Sequence, residues 1–291
     1  MNNLLFKGCG TAMFTPFKDG AVDVDALVCT AERQVEAGVD FLVPLGTTGE
    51  TPTLTDAEKL LVFHAVKDSA KDLPVVVGVG SNSVEGTLSN MALLKDADAF
   101  LVVVPYYNKP PQRGIYEYFR TIAEHTDKPI VLYNVPGRTG VNCDAETTLA
   151  LARGVPNIVA VKEASGNLMQ AKYILNRRPE GFSVLSGNDE DTLALMRSGA
   201  DGVVSVASNV CPGEMTRFVK AALEKDWDKA EDLGHRLSSL FRDLFIEPNP
   251  IPGKAAMAQL GLMENQLRLP LVPATDETET AIRKTLAALW K

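Results

Sequence analysis

Cysteine and histidine are scarce in this sequence, and their positions do not form a metal site. The four cysteines are far apart, with no Cys-x-x-Cys pair, and the three histidines stand singly. A zinc site needs such ligands in closely spaced pairs, so the spacing predicts no bound metal. We expect the cysteines to be small buried hydrophobes or idle thiols, and the histidines to be structural or solvated.

Long apolar runs are also absent. The longest apolar stretches, such as residues 100–105 and 158–161, are far shorter than the roughly 20 residues that a membrane helix needs. The first seven residues combine no basic region with a sustained apolar segment, which argues against a secretory signal. We therefore predict a cytoplasmic protein with no membrane partner.

Basic residues are fewer than acidic residues in this sequence. Lys and Arg number 29 against 37 Asp and Glu, which gives a formal net charge of -8 and argues against a nucleic-acid partner held through phosphates. Hydrophobic residues make up 45% and charged residues 23% of the 291 residues, a balance typical of globular proteins. The length allows two average domains or one α/β barrel.

Eight short apolar runs, rich in Val and Ile, are the main pattern that is present. They are almost continuously apolar, which is typical of parallel strands covered on both faces. We predict strands at residues 10–14, 40–45, 74–79, 99–104, 129–134, 158–162, 182–186 and 202–206.

Helical patterns separate these runs. Residues 23–37 and 55–70 are amphipathic, and Thr55 with Glu58 has the spacing of a capping box. Alternating strands and helices predict an α/β fold, a (β/α)8 TIM barrel over residues 1–225, in which the helix near 88–98 is short. A C-terminal helical region, 226–291, follows with three predicted helices at 233–245, 253–260 and 276–290.

Polar residues at the strand ends should meet at one mouth of such a barrel. Lys162 ends an apolar run, where poor solvation favours the neutral, nucleophilic amine that imine formation requires. Pairing of this lysine with a neighbouring acid is the alternative. Hydroxyls of Tyr107, Tyr133 and Thr47 or Thr48 can relay protons, and Arg138 can hold a carboxylate with two hydrogen bonds.

Glycines near these strand ends allow two interpretations. Gly46, Gly49 and Gly137 serve as turn residues, as parts of an anion-binding nest, or as both. The Gly78-Val79-Gly80 sequence is a weak match to a dinucleotide fingerprint, because Ser83 occupies the place of the third glycine. We therefore predict no cofactor.

The strand-end motifs are similar to those of the class I pyruvate-dependent aldolases, and in detail to the dihydrodipicolinate synthase family. The matching segments are 46–50, 105–108, 133–140 and 161–167, with further matches near both ends of the chain. The resemblance implies that Lys162 forms an imine and that Thr47, Tyr107 and Tyr133 relay protons. It also implies substrate-binding roles for Thr48, Arg138, Gly187 and Val204.

The resemblance implies a specific reaction as well. Pyruvate would condense with the lysine and attack L-aspartate 4-semialdehyde, giving 4-hydroxy-tetrahydrodipicolinate for lysine and diaminopimelate biosynthesis. No cofactor is implied, because the protonated imine itself accepts electrons. Tyr107 would enter the neighbouring subunit's site, which implies a homodimer or a homotetramer built as a dimer of dimers.

Two other functions remain open at this point. One is imine chemistry on a sugar acid, as in N-acetylneuraminate lyase or a 2-keto-3-deoxy-acid aldolase, which Arg138 disfavours. The other is a non-catalytic relative that binds a keto acid. Within the synthase family, lysine-inhibited members carry a histidine and a glutamate where we align Lys59 and Gly86, so we predict insensitivity to lysine.

Overall fold

A computed structural model of the chain describes residues 6–290, in which eight parallel strands form one sheet. The strands are β1 (Gly8–Ala12), β2 (Phe41–Val43), β3 (Val76–Gly78), β4 (Ala99–Val103), β5 (Ile130–Asn134), β6 (Ile158–Glu163), β7 (Ser183–Ser186) and β8 (Gly202–Ser205). Their order is β2-β1-β8-β7-β6-β5-β4-β3. A parallel bridge from Leu42 to Val75 links β2 to the residue before β3. The predicted (β/α)8 barrel is therefore confirmed.

Helices lie between the strands and after them. They are α1 (Val24–Glu36), α2 (Asp56–Ser69), α3 (Val84–Leu93), α4 (Gln112–Ala123), α5 (Pro136–Thr139), α6 (Ala145–Gly154), α7 (Leu168–Leu175), α8 (Thr192–Arg197), α9 (Pro212–Leu223), α10 (Trp227–Asp243), α11 (Ile251–Gln259) and α12 (Asp276–Leu289). Short 3-10 turns span Thr47–Gly49, Thr51–Thr53 and Ala207–Asn209, and a small hairpin pairs Phe17–Lys18 with Ala21–Val22.

Local capping explains where the helices begin. The predicted capping box is confirmed, since Glu58 N–H donates to the Thr55 hydroxyl and Thr55 N–H donates to the Glu58 carboxylate. Helix α10 begins at Trp227, six residues before the predicted start, because the Asp226 side chain accepts from the N–H of Lys229. Helix α3 also begins before its predicted start near residue 88, because the Ser83 side chain accepts a hydrogen bond from the N–H of Gly86.

The chain forms two compact units. One comprises residues 6–8 and 76–204, and its core includes Phe100 and Phe119. The other comprises residues 9–75 and 205–290, with Phe14, Phe63 and Phe218 in its core, and contains helices α10 to α12. The predicted boundary at residue 225 stays a prediction. Within residues 6–290, no helix has both the length and the apolar character needed to span a membrane.

Candidate active site

Lys162 and Tyr133 are brought together in the unit that contains residues 76–204. They are register partners on β6 and β5, and Lys162 Nζ lies 4.2 Å from the centroid of the Tyr133 ring. Lys162 is only 6% exposed, because the apolar residues that precede it on β6 are themselves buried. The amine therefore lies in a poorly solvated place beside a phenol, as a lysine nucleophile requires.

Tyr107 and Arg138 lie in the loops that follow β4 and β5. The Tyr107 side chain is 87% exposed, and its backbone is left-handed, with a φ of 72° that is uncommon for a tyrosine. Tyr107 N–H donates to the carbonyl of Thr139, at the end of the short helix α5 that carries the exposed Arg138. These loops thus meet each other, while the Tyr107 ring extends into solvent.

Gly187 and Val204 belong to the next two strand ends. The N–H of Gly187 donates to the carbonyl of Glu163 at 2.8 Å, so this N–H is already used within the sheet. A Cβ at position 187 would lie 2.5 Å from the Cβ of Ala164, which is why glycine is required there. Val204 is buried on β8.

Thr47 and Thr48 lie in the other unit, on the 3-10 turn that follows β2. Thr48 is buried, and its hydroxyl accepts a hydrogen bond from Asn249 Nδ2 at 2.9 Å. The turn is fixed further by Thr15, whose hydroxyl donates to the carbonyl of Gly49 at 2.8 Å. Sequence reasoning missed Asn249, because it is 201 residues from Thr48 and no local pattern joins them.

Glu50 ends this turn in a buried ion pair that sequence reasoning also missed. Its carboxylate lies 2.5 Å from Lys254 Nζ, with both side chains wholly buried, and it accepts the N–H of Arg268 at 3.0 Å. Lys254 also donates to the carbonyl of Gln266. Burial lowers the pKa of Lys254 to about 8, and the opposing charge of Glu50 offsets only part of that effect. A lysine within the otherwise uncharged stretch 251–259 is the one signal that the sequence offered.

Glu163, next to Lys162 on β6, is buried among neutral donors. Its two carboxylate oxygens accept from Asn134 Nδ2 at 3.2 and 3.1 Å, from the N–H of Ser165 at 2.8 Å and from Gln170 Nε2 at 3.1 Å. Asn142 joins the same cluster through bonds to Asn134 and Gln170. Lys162 therefore has no buried acid as its partner in this network, and the carboxylate instead ties β6 to β5 and α7.

Known proteins are similar to this chain over nearly its whole length. The model of the dihydrodipicolinate synthetase family matches residues 5–289. A 4-hydroxy-tetrahydrodipicolinate synthase of Parabacteroides distasonis is 47% identical over 293 residues, covering 99% of both chains.

Solved structures give the same result. The dihydrodipicolinate synthase of Thermotoga maritima has a TM-score of 0.97 and 41% identity, and the match covers 98% of this chain and 99% of that one. A monomeric dihydrodipicolinate synthase variant has a TM-score of 0.97 at 40% identity, over 99% of this chain and 98% of that one. The chain belongs to the dihydrodipicolinate synthetase family.

Proposed function

We propose that Lys162 is the nucleophile of a pyruvate-dependent condensation that yields 4-hydroxy-tetrahydrodipicolinate. The chain is an enzyme, a lyase of lysine and diaminopimelate biosynthesis, and this activity is favoured over the sugar-acid alternatives by relatives that carry the synthase name. The observation that carries the residue assignment is the buried Lys162 amine, 4.2 Å from the Tyr133 ring centroid.

The first half of the reaction binds pyruvate to the enzyme. The Lys162 amine attacks the ketone carbon, water leaves, and a protonated imine forms. Loss of a methyl proton then gives an enamine, with the positive nitrogen accepting the electron pair. Tyr133 and Thr47 have the hydroxyls to move these protons, and Thr48 has one to hold the pyruvate carboxylate.

The second half joins the two substrates. The enamine carbon attacks the aldehyde of L-aspartate 4-semialdehyde, and the amine of that substrate then displaces Lys162, which closes the ring and frees the enzyme. Arg138 is exposed on α5, where its guanidinium can hold the carboxylate of the incoming semialdehyde with two parallel hydrogen bonds. Gly187 and Val204 complete the lining of the pyruvate pocket.

A second copy of the chain supplies the last hydroxyl. The Tyr107 ring is almost fully exposed, and its left-handed backbone is uncommon for a tyrosine and of a kind that clusters at functional sites. We place this ring in the site of a neighbouring subunit, so that the working enzyme is at least a homodimer and, when two dimers pair, a homotetramer. A cytoplasmic location completes the proposal.

Borohydride reduction in the presence of pyruvate tests the nucleophile. Mass spectrometry should locate the adduct on Lys162 and should find none in Lys162→Ala. An assay with pyruvate and L-aspartate 4-semialdehyde then tests the substrate pair. Trapping on another lysine would overturn the assignment, and trapping without turnover would favour the non-catalytic keto-acid binder.

Arg138→Ala should impair use of the semialdehyde far more than imine formation with pyruvate. Losing one hydrogen bond to a charged group typically costs about 1.5 to 3 kcal/mol, so KM for the semialdehyde should rise about tenfold or more. Steady-state kinetics with each substrate varied in turn measures this, and an equal effect on both substrates would refute the role.

Mixed oligomers test the role of Tyr107. Tyr107→Phe and Lys162→Ala should each be nearly inactive alone, but mixing them should restore activity if subunits exchange, because one hybrid site then holds both Lys162 and the neighbour's Tyr107. Mass spectrometry should confirm that hybrids form. Hybrids without recovered activity would place Tyr107 in its own chain's site, and full activity of Tyr107→Phe alone would place it outside any site.

Insensitivity to L-lysine is also supported by local geometry. A Cβ at Gly86 would lie 2.7 Å from the hydroxyl of Ser81 and 3.1 Å from its Cβ, which leaves little room for an acidic side chain. The Lys59 ammonium is ion-paired with Asp56 at 2.9 Å, which offsets part of its repulsion of a cationic ligand, so the proposal rests mainly on position 86. We expect L-lysine at 1 mM, a concentration that half-saturates a site worth about 4 kcal/mol, to leave turnover unchanged. Half-inhibition below 1 mM would contradict this proposal.

A further inference from the structure

Asn249 lies beside Thr48 in the buried part of the unit that holds both residues. Asn249 precedes helix α11, and its Nδ2 donates to the Thr48 hydroxyl oxygen at 2.9 Å. Both residues are at most 5% exposed, so water does not compete freely for this contact. The hydrogen bond therefore fixes the hydroxyl and not merely the backbone.

The direction of this hydrogen bond determines what the hydroxyl can do next. A hydroxyl has one hydrogen to donate and two lone pairs to accept with. Because Asn249 donates, Thr48 Oγ1 accepts there, and its own hydrogen must point to another group. Accepting one hydrogen bond also polarises the hydroxyl and strengthens it as a donor. Such a hydroxyl suits an anionic ligand.

We propose that Asn249 is a positioning residue, which turns the Thr48 hydroxyl into a donor directed at the pyruvate carboxylate. This inference rests on the proposed function, in which Thr48 meets that carboxylate, and extends it to a residue of the C-terminal helical region. Asn249 acts through Thr48 and has no contact with substrate in this proposal.

The segment that carries Asn249 is itself firmly attached to the same turn. Lys254, five residues later, forms the buried ion pair with Glu50, which follows the Thr47–Gly49 turn. Segment 249–254 therefore contacts this turn twice, through Asn249 at the Thr48 side chain and through Lys254 at Glu50. The distance between the Asn249 amide and the Thr48 hydroxyl is set by this double attachment.

A comparison of imine trapping with a charged and with a neutral ketone tests the proposal. Pyruvate and acetone both form an imine that borohydride traps on a lysine, but only pyruvate has a carboxylate. In Asn249→Ala, the pyruvate concentration for half-maximal trapping on Lys162 should rise about tenfold, because the Thr48 hydroxyl is no longer directed at the carboxylate and its hydrogen bond to that charged group is lost. Trapping of acetone should stay within twofold of wild type.

Two further variants make the test decisive. Asn249→Asp keeps the shape but replaces the donor with an acceptor, so its loss for pyruvate should be at least as large as that of Asn249→Ala. Asn265→Ala removes another asparagine of the same region, one that donates to Glu279 at 3.0 Å, and should leave both ketones unchanged.

The outcomes separate this inference from the proposed function. Parallel losses for pyruvate and acetone, or a pyruvate effect no greater than that of Asn265→Ala, would show a merely structural role and overturn the inference. Failure of the wild-type enzyme to trap pyruvate on Lys162 would instead overturn the proposed function. A loss confined to pyruvate in both Asn249 variants would establish the positioning role.

Discussion

Glu50 lies two residues after Thr48, and Glu163 lies one residue after Lys162; both glutamates are buried, yet their surroundings differ. Glu50 faces the ammonium of Lys254 and the backbone N–H of Arg268. Glu163 faces side-chain amides and one backbone N–H, all of them neutral. Glu50 is therefore stabilised by a full opposite charge, and Glu163 by oriented dipoles.

The difference concerns what each carboxylate loses when a neighbour changes. A buried ion pair exchanges two large desolvation penalties for one attraction, so removing either partner leaves an uncompensated charge. A cluster of neutral donors spreads the compensation over several hydrogen bonds, so each one matters less. We infer that the buried charge of Glu50 depends mainly on one ion pair, whereas the buried charge of Glu163 depends on several hydrogen bonds.

Lys254→Met should have the largest effect on stability. It leaves the Glu50 carboxylate buried without its cation, which typically costs about 3 to 5 kcal/mol in the free energy of unfolding. Urea denaturation at pH 7 measures this, and Lys220→Met, which removes an exposed lysine from α9, should change it by less than about 0.5 kcal/mol.

The double variant Glu50→Gln with Lys254→Met completes this test. With both charges removed, most of the lost stability should return, because neutral replacements of a buried pair are often nearly neutral in free energy. A double variant as unstable as Lys254→Met alone would mean that packing, and not charge, dominates at this site.

Glu163→Gln should have a smaller effect, about 1 to 3 kcal/mol in the free energy of unfolding. The glutamine keeps one acceptor oxygen, but its NH2 group replaces the other oxygen and faces N–H donors, which then lose their acceptor. The matched substitution Glu190→Gln, at an exposed position, provides the control in the same urea experiment. A loss as large as that of Lys254→Met would remove the distinction between the two carboxylates.

Sequence reasoning was most successful where the determinants are local. Periodicity and caps predicted all eight strands to within a few residues, and helices α1 and α2 to within one. Lys162 was identified because a charged residue ends an apolar run. The partners of Glu50 and Thr48 were missed, because Lys254 and Asn249 lie more than 200 residues further along the chain and no spacing rule connects residues so far apart.

The pH dependence of stability tests the charge on Lys254. Burial lowers its pKa to about 8 in the folded chain, against about 10.5 unfolded, so between these values the unfolded state binds more protons. Stability of the wild type should therefore rise with pH relative to the double variant, by up to about 1.4 kcal/mol per pH unit. Urea denaturation at pH 8 and 9 tests the sign, and a relative fall would mean that Glu50 more than compensates for burial.

The ion pair between Glu58 and Arg268 should contribute least, because both side chains are partly exposed. Arg268 also donates to the carbonyls of Thr53 and Gly20, so it stays anchored when the carboxylate is neutralised. Glu58→Gln keeps an acceptor for the Thr55 cap and removes only the charge, so we expect a loss of about 1 kcal/mol or less at pH 7.

The stability contributed by the Glu58 carboxylate should decrease as the pH falls. The hydrogen bond from Arg268 lowers the pKa of Glu58 from 4.5 to about 2, so the contribution is complete above pH 4.5 and disappears as pH falls toward 2. The difference between wild type and Glu58→Gln, followed by urea denaturation from pH 7 to 3, should shrink as the pH falls. A difference that grows toward pH 3 would show that the ionised carboxylate destabilises the fold. A loss at pH 7 comparable to that of Lys254→Met would erase the contrast between buried and exposed pairs.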